Sequence, residues 1–432
     1  MDKNRIHLFR RRRETDKRYR RYVRCLTVIL LSVVMLCAGC TGKDAVGSSA
    51  GGSGEQTAAA DSRQNEAGSS TEAAPKTETA ATASRSWNNM SPVSSMDLLY
   101  ADQFSVDYYE NDISLITIGD TDQFLLLPEG MSAPVGLPDS IKILQKPVKN
   151  IYLVATSAMD DFIHLDAMDL IALSGTKDTG WYLPEAKTAM EEGKIAYAGK
   201  YSAPDYEKIL SSDCGLAVES TMIYHTPEVK EQLERLGIPV LVERSSYEGH
   251  PLGRMEWIRL YGVLTGKEAE AEQVFRENMD ALSDVLDMEP SGKTAAFFYV
   301  TNSGSVNVRK NGDYIAKMIA LAGGTYIPGN AGSDENALST MNMDFESFYA
   351  AAKDADVLIY NSTIDGELTA IDELCAKNQL FADFKAVKEG NVWCTGKNMF
   401  QETMGLGDMI RDMNAVFADD TEYSFTYLHQ LK

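Results

Sequence analysis

The sequence predicts an α/β protein of two lobes, each a mostly parallel sheet with flanking helices, joined by one long helix. Three observations predict it. Short apolar runs bounded by polar turn residues recur along the chain, with amphipathic stretches between the later ones. One uninterrupted stretch of helix formers comes after Gly266. A second series of strand-like runs lies beyond that stretch.

At the N-terminus, the first 24 residues hold 11 Lys or Arg and 3 Asp or Glu, a local net charge of +8. Residues 25–36, CLTVILLSVVML, are uncharged and almost wholly apolar. As a helix this run spans roughly 18 Å, short of the roughly 30 Å core of a bilayer. A basic segment, a short apolar segment and small residues before a cysteine make a secretory signal. The next residues, Leu36-Cys37-Ala38-Gly39-Cys40, resemble a bacterial lipobox, with Cys37 where such motifs usually carry Leu. The resemblance implies a signal peptide over 1–39 and acylation of Cys40; the alternative is an ordinary secretory cut. Two or more acyl chains would hold the protein on the outer face of the membrane.

Without the +8 segment, a chain of net charge −22 is left at about −30. So acidic a protein is not built for nucleic acid or for a basic membrane-binding face. Cys214, Cys375 and Cys394 remain beyond the anchor, an odd number without CxxC, which predicts no disulfide framework and no zinc site. With Cys40, residues 40–92 form a Gly, Ser, Ala, Thr and Glu tract that predicts a disordered tether. Its roughly 50 residues would reach about 40 Å root-mean-square.

The globular part divides into an N-terminal lobe over 93–266, a connecting helix over 267–289 and a C-terminal lobe over 290–432. In the first lobe, ISLITI (113–118), QFLLL (123–127), NIYLVA (150–155), GLAV (215–218) and IPVLV (238–242) read as strands, those from 92 to 127 adding to the lobe. TPEVKEQLERLG reads as a helix, with Thr226 at the N-cap, Pro227 at the first position, an apolar stripe of Val229, Leu233 and Leu236, and Gly237 at its end. KEAEAEQVFRENMDALSDVLDM carries alternating charge and a stripe of Val274, Phe275, Met279, Leu282 and Leu286. Beyond it TAAFFYV (294–300), VNV (306–308), DVLIY (356–360) and NVWCT (391–395) read as the second set of strands.

A weak internal repeat links the lobes. DYEKIL (205–210) and DFESFY (344–349) place Glu207 and Glu346 at the same position, each in a helix leading to a strand. As helices, they put Tyr206, Ile209 and Leu210 on one face, and Phe345, Phe348 and Tyr349 on the other copy's.

The passage SSYEGHPLGRMEWIRLYGVLTGKEAEAE (245–272) resembles the iron-siderophore, haem and cobalamin class of ABC-transporter substrate-binding proteins. The two lobes, the stiff joining helix, the lipobox and the tether resemble that class too, over about 151–432. The resemblance implies the helical-backbone periplasmic-binding-protein fold. It implies an extracytoplasmic receptor that captures a metal chelate, a ferric siderophore first and haem or cobalamin next, and delivers it to a dimeric ABC permease. In such proteins one surface glutamate on each lobe docks into arginine pockets of the permease, and Glu207 and Glu346 match the phrase that carries it. The first lobe has Asp213-Cys214-Gly215 where the phrase usually has Pro-Asp.

Ligands of open α/β sheets bind beyond the carboxyl ends of strands. The residues just after each strand nominate Ser157, Glu219 and Tyr247 in the first lobe and Arg309, Asn361, Lys397 and Asn398 in the second. Loops of the first lobe add Trp181, Lys200 and Tyr201. Arginine and aromatic side chains suit a large, flat or anionic chelate. His164, His225 and His250 are scattered without HxxxH or HExxH, so no metal centre is expected, with an axial role of a histidine or a methionine toward haem as the alternative; no resident cofactor is expected either. No GxSxG, Walker A or Cys/His pairing is present, and no enzymatic activity is expected. The competing expectations are a surface-binding or adhesion lipoprotein without a transporter and, behind it, a hydrolase.

Overall fold

The computed structural model describes residues 86–329 and 340–432. The signal segment, Cys40 and the tether as far as residue 85 lie outside the described residues. Structure begins earlier than composition predicts. Composition extends the tether to Pro92, but the Trp87 ring lies 5.6 Å from that of Tyr109, and the Trp87 backbone N–H donates to Val135 at 2.9 Å. Trp87 and Met90 are large apolar groups that a nearby sheet can bury, which the Ser/Gly/Ala tract lacks.

Residues 94–146 form a sheet of five strands in sequence order: β1 (Ser94–Ser95), β2 (Phe104–Tyr109), β3 (Ile113–Ile118), β4 (Asp122–Pro128) and β5 (Ile141–Lys146). Asn111 and Asp112, at φ 65° and 59°, make the left-handed corner that a tight hairpin between β2 and β3 requires. The sequence adds these strands to the first lobe, but among the described residues they form no hydrogen-bonded edge with its sheet. They join it face-on instead. Alternate side chains, among them Phe104, Val106, Ile116, Ile118, Phe124 and Leu126, enter the main core. Ile113, Leu115, Leu125 and Leu127 point the other way, under Trp87 and Met90.

The first lobe's own sheet contains β6 (Ile151–Leu153), β7 (Ile171–Ser174), β8 (Ala196–Tyr197), β11 (Leu216–Ser220) and β12 (Val240–Glu243), all parallel in the order β12-β11-β6-β7-β8. A short hairpin, β9 (Gly199–Lys200) with β10 (Ala203–Pro204), stands apart. The helix Pro227–Arg235 buries Val229 and Leu233 and leads to Gly237 at φ 81°, where the chain turns into β12.

The connecting helix is Glu268–Leu286, 19 residues, or about 28 Å at 1.5 Å per residue. Ala271, Phe275 and Leu282 are its buried positions. It folds back on the preceding helix Ile258–Thr265, where a Cβ on Gly262 would come within 2.6 Å of Ala271. Only glycine permits that approach.

The second lobe is a seven-stranded mixed sheet. Its strands are β13 (Thr294–Val300), β14 (Val306–Arg309), β15 (Thr325–Ile327), β16 (Thr340–Met343), β17 (Val357–Tyr360), β18 (Val392–Thr395) and β19 (Leu428–Gln430). The central strands β15, β13, β17 and β18 are parallel; β14, β16 and β19 run antiparallel to their neighbours. One continuous apolar core runs from the first sheet through the first lobe and the connecting helix to Phe297, Ile315 and Met409 of the second lobe. Polar contacts add to it between the lobes. Gln401 accepts from the Tyr182 backbone and donates to the Gly180 carbonyl, each at 2.8 Å. Thr403 donates to the Ser157 carbonyl at 2.9 Å, and the Met404 N–H donates to Asp160 at 2.8 Å. Among the described residues no helix is long and apolar enough to cross a membrane.

Candidate ligand-binding cleft

A cavity of about 570 Å³ opens between the lobes, within the range of small-molecule sites. It lies where parallel strands end. Thr221 comes after β11, Ser246 and Tyr247 after β12, and Asn361, Thr363 and Ile364 after β17. Tyr299 on β13 and Asn307 and Arg309 on β14 form the second lobe's wall, with Asp313, Tyr314, Thr340 and Phe400.

Two arginines, one from each lobe, set its charge. Arg254 sits on the short helix Pro251–Met255, with its guanidinium carbon 4.2 Å from the Tyr314 ring centroid. Its Nε is buried and has no hydrogen-bond partner in the protein. His250 starts this helix. Its Nδ1 accepts the Leu252 N–H at 3.2 Å and its ring stacks on Tyr100 at 4.9 Å. Burial pushes the imidazole pKa down to about 4, which keeps the nitrogen neutral and able to accept.

Arg309 lies between Phe297 and Phe400, with its guanidinium carbon 5.7 and 5.4 Å from their ring centroids. Asp313 is 3.5 Å away and accepts the Ile315 N–H at 2.9 Å, opening the helix Tyr314–Leu321. Burial raises the Asp313 carboxyl, and Arg309 opposes that rise. Asn307 donates to Asn342 at 2.7 Å, while Asn361 accepts from Thr363, so neither amide turns freely.

Of the nominated residues, the cavity brings together Tyr247, Arg309 and Asn361. The others lie elsewhere. Trp181 is buried in the core with its indole N–H directed at Ser174, on a loop that Gln401 clamps to the second lobe. Ser157 does not line the cavity and is bonded to Glu243 and Thr403. Glu219 is wholly buried beneath the sheet, because alternation on β11 turns it to the side of Ala217, away from Val218. Lys200 is exposed at the β9–β10 hairpin, and Tyr201 packs against the outer core of the first lobe. The Lys397 backbone is tied to Glu367, and the Asn398 amide to Glu402.

Three cavity residues beyond the nominated ones carry signals that the sequence does contain. Tyr299 and Asn307 lie on strands legible from their apolar runs, at cavity-facing register positions. Arg254 stands inside EGHPLGRMEW, where its apolar and helix-starting neighbours give the whole phrase a structural look. No histidine or methionine is found among the described residues that line the cavity.

Glu207 and Glu346 sit on opposite lobes in matching settings. Each is exposed and lies two residues after an aspartate N-cap. Asp205 accepts the Lys208 N–H at 3.0 Å and Asp344 accepts the Ser347 N–H at 2.7 Å. The helices are Tyr206–Ser211 and Phe345–Ala352, leading to β11 and β17. One expectation fails here: Leu210 is 46% exposed, since the six-residue helix turns only Tyr206 and Ile209 toward the lobe.

Two sheet-based lobes on a stiff connecting helix, with a polar and aromatic cavity between them, define a solute-binding protein. The profile of the periplasmic binding protein family matches residues 155–399, more than half of the chain, and the chain belongs to that family. An uncharacterized lipoprotein of Methanocaldococcus jannaschii is 26% identical over 334 residues, covering 70% of this chain and 77% of the relative. A crystal structure of a periplasmic heme binding protein from Pseudomonas aeruginosa superposes with a TM-score of 0.50 at 15% identity, covering 66% of this chain and 98% of that one. The periplasmic heme binding protein HutB of Vibrio cholerae gives 0.50 and 15%, over 61% and 97%. At these identities the likeness is one of fold.

Proposed function

We propose that this protein is an extracytoplasmic lipoprotein, anchored through Cys40, that captures an anionic metal chelate in the interlobe cavity and hands it to an ABC permease dimer. The observation that carries the ligand class is the pair Arg254 and Arg309, facing one cavity walled by Tyr247, Tyr299, Tyr314 and Phe400. In a chain with 63 acidic and 41 basic residues, that cavity presents two guanidinium groups and one carboxylate, Asp313. Guanidinium forks match carboxylate groups, and aromatic rings cover a flat apolar face. A ferric siderophore bearing carboxylates fits this best. Haem is the second reading, and the three tyrosines favour it, since a phenolate can ligate iron where the cavity lining holds no histidine or methionine. The protein acts here by binding and release, without turnover and without a resident cofactor.

Isothermal titration against ferric siderophores, haemin and cobalamin tests this. Trp181, Trp257 and Trp393 are buried, Trp87 is half-buried, and none of the four lines the cavity, so heat is a better signal than tryptophan fluorescence. One class should bind tighter than about 10 μM, roughly −7 kcal/mol. Removing either guanidinium, Arg254→Ala or Arg309→Ala, should weaken that binding about 10- to 100-fold, the value of a charged hydrogen bond. If no chelate reaches 10 μM, the ligand class is wrong.

A further inference from the structure

The family match begins at residue 155, beyond the whole of the first sheet. A relay of side chains nevertheless links that sheet to the cavity. The loop before β2 carries Gln103, whose backbone is fixed on both sides. Its N–H donates to Glu248 at 3.0 Å and its carbonyl accepts from Gly119 at 2.7 Å. The Gln103 amide donates its NH₂ to Asp102 at 2.7 Å, which points Oε1 at Arg244. Arg244 gives that oxygen two N–H bonds, from Nε at 3.2 Å and from Nη2 at 2.9 Å. Its Nη1 donates to the Tyr224 hydroxyl at 3.2 Å. The guanidinium so held lies 4.7 Å from the ring centroid of Tyr247, which lines the cavity.

We propose that Gln103 and Arg244 are positioning residues for Tyr247, so that the first sheet sets one wall of the ligand cavity. The inference rests on the cavity being the ligand site. A flat planar cation under an aromatic ring restricts the ring's tilt as well as attracting it. Arg244 has too many rotamers to do this alone, and three hydrogen bonds remove them. Two of those bonds end on one glutamine oxygen, in the loop that enters the first sheet. Ligand selection at Tyr247 is therefore tied to a segment that precedes the family-matched region.

The test places 3-fluorotyrosine at position 247 of the full chain and reads its fluorine resonance without any ligand. Gln103→Leu, which removes the acceptor, should shift and broaden that line. Gln103→Glu combined with Asp102→Asn, which keeps both the acceptor for Arg244 and a hydrogen bond to orient it, should restore it. A 3-fluorotyrosine at position 423, on the second lobe, should stay unchanged in every variant, which a general loss of structure would not allow. Haemin and ferric citrate then serve as ligand probes. Whichever binds should weaken about 3- to 10-fold in Gln103→Leu, the worth of one ordered cation–π contact, and by nothing further when Tyr247 is already alanine. An unaltered line at position 247 in Gln103→Leu, or an equal loss on the Tyr247→Ala background, overturns the proposal. Failure of both probes to bind counts against the chelate as ligand class, while the fluorine line still decides the positioning role.

Discussion

The carboxylate of Glu256 lies 2.7 Å from the backbone nitrogen of Leu99, a contact across 157 positions of sequence. The same carboxylate accepts the N–H groups of Tyr100 at 2.7 Å and Ala101 at 2.8 Å, and pairs with Arg259 at 2.9 Å. Eight residues earlier, Glu248 takes the next two N–H groups of the loop, from Asp102 and Gln103, together with the Trp257 indole N–H. Burial raises the Glu248 carboxyl to about 7 against those three donors. The two glutamates of EGHPLGRMEW thus hold the entry to the first sheet by its main chain. Gly253, between them, passes so close that a Cβ there would lie 3.0 Å from the Tyr100 carbonyl oxygen.

Glu256→Ala leaves the three N–H groups of the loop without their acceptor beside a fully buried position, while Arg259 keeps Glu272 and the Asp97 carbonyl. The expected loss is about 3–5 kcal/mol, the usual result of removing one partner of a buried charged network. Urea unfolding measures it. Hydrogen exchange at Leu99, Tyr100 and Ala101 should accelerate before the rest of the chain. A stability within about 1 kcal/mol of wild type would mean that the loop is held by its apolar contacts alone.

Local signals are legible in this sequence, and long-range ones are not. Pro227, Gly237 and the stripe of Val229 and Leu233 specify a helix and its end within twelve residues. The aspartate caps before Glu207 and Glu346 are equally local. Alternation in ISLITI tells which residues share a face, but it carries no information on which edge a strand pairs with. The sequence therefore places these strands with the first lobe but does not show that they form a sheet of their own, packed face-on. Trp181 reads as a ligand contact because an aromatic side chain on a first-lobe loop can cover the apolar face of a ligand. Its fate depends on Gln401, about 220 positions away, which no local pattern shows. Arg254 is hidden for the opposite reason, since its motif is recognisable as a whole and no single member of it stands out.

Glu219 makes a prediction about pH. Both of its oxygens are buried without a hydrogen-bond partner, and burial lifts its pKa to about 8. The folded protein thus keeps a proton that the unfolded chain, with a carboxyl near 4.5, gives up. Stability is fully present below about pH 4.5 and declines as pH rises through 8, by up to about 4–5 kcal/mol. Glu219→Gln removes the titration. Its thermal midpoint should match wild type near pH 4 and exceed it at pH 9. Parallel pH profiles for the two proteins would show that Glu219 finds a partner on folding.

Glu207 and Glu346 make the last prediction, and it separates binding from delivery. Both are exposed, on capped helices of opposite lobes, and neither lines the cavity. Their replacement should leave stability within about 0.5 kcal/mol, as surface substitutions do. Chelate affinity should be unchanged as well, because the cavity walls are built without them. Uptake should respond differently. Exposed charges that meet a partner steer encounter and fix register, and their effect weakens with salt. Glu207→Ala or Glu346→Ala alone should slow uptake by cells that depend on this protein, and the double variant should abolish it. Glu207→Arg with Glu346→Arg should do so more sharply, since like charges would then face the permease. The residual uptake of each single variant should fall further as ionic strength rises. Wild-type uptake by the double alanine variant, with chelate affinity intact, would leave these glutamates as ordinary solvated charges and would place the permease contact on another part of the lobes.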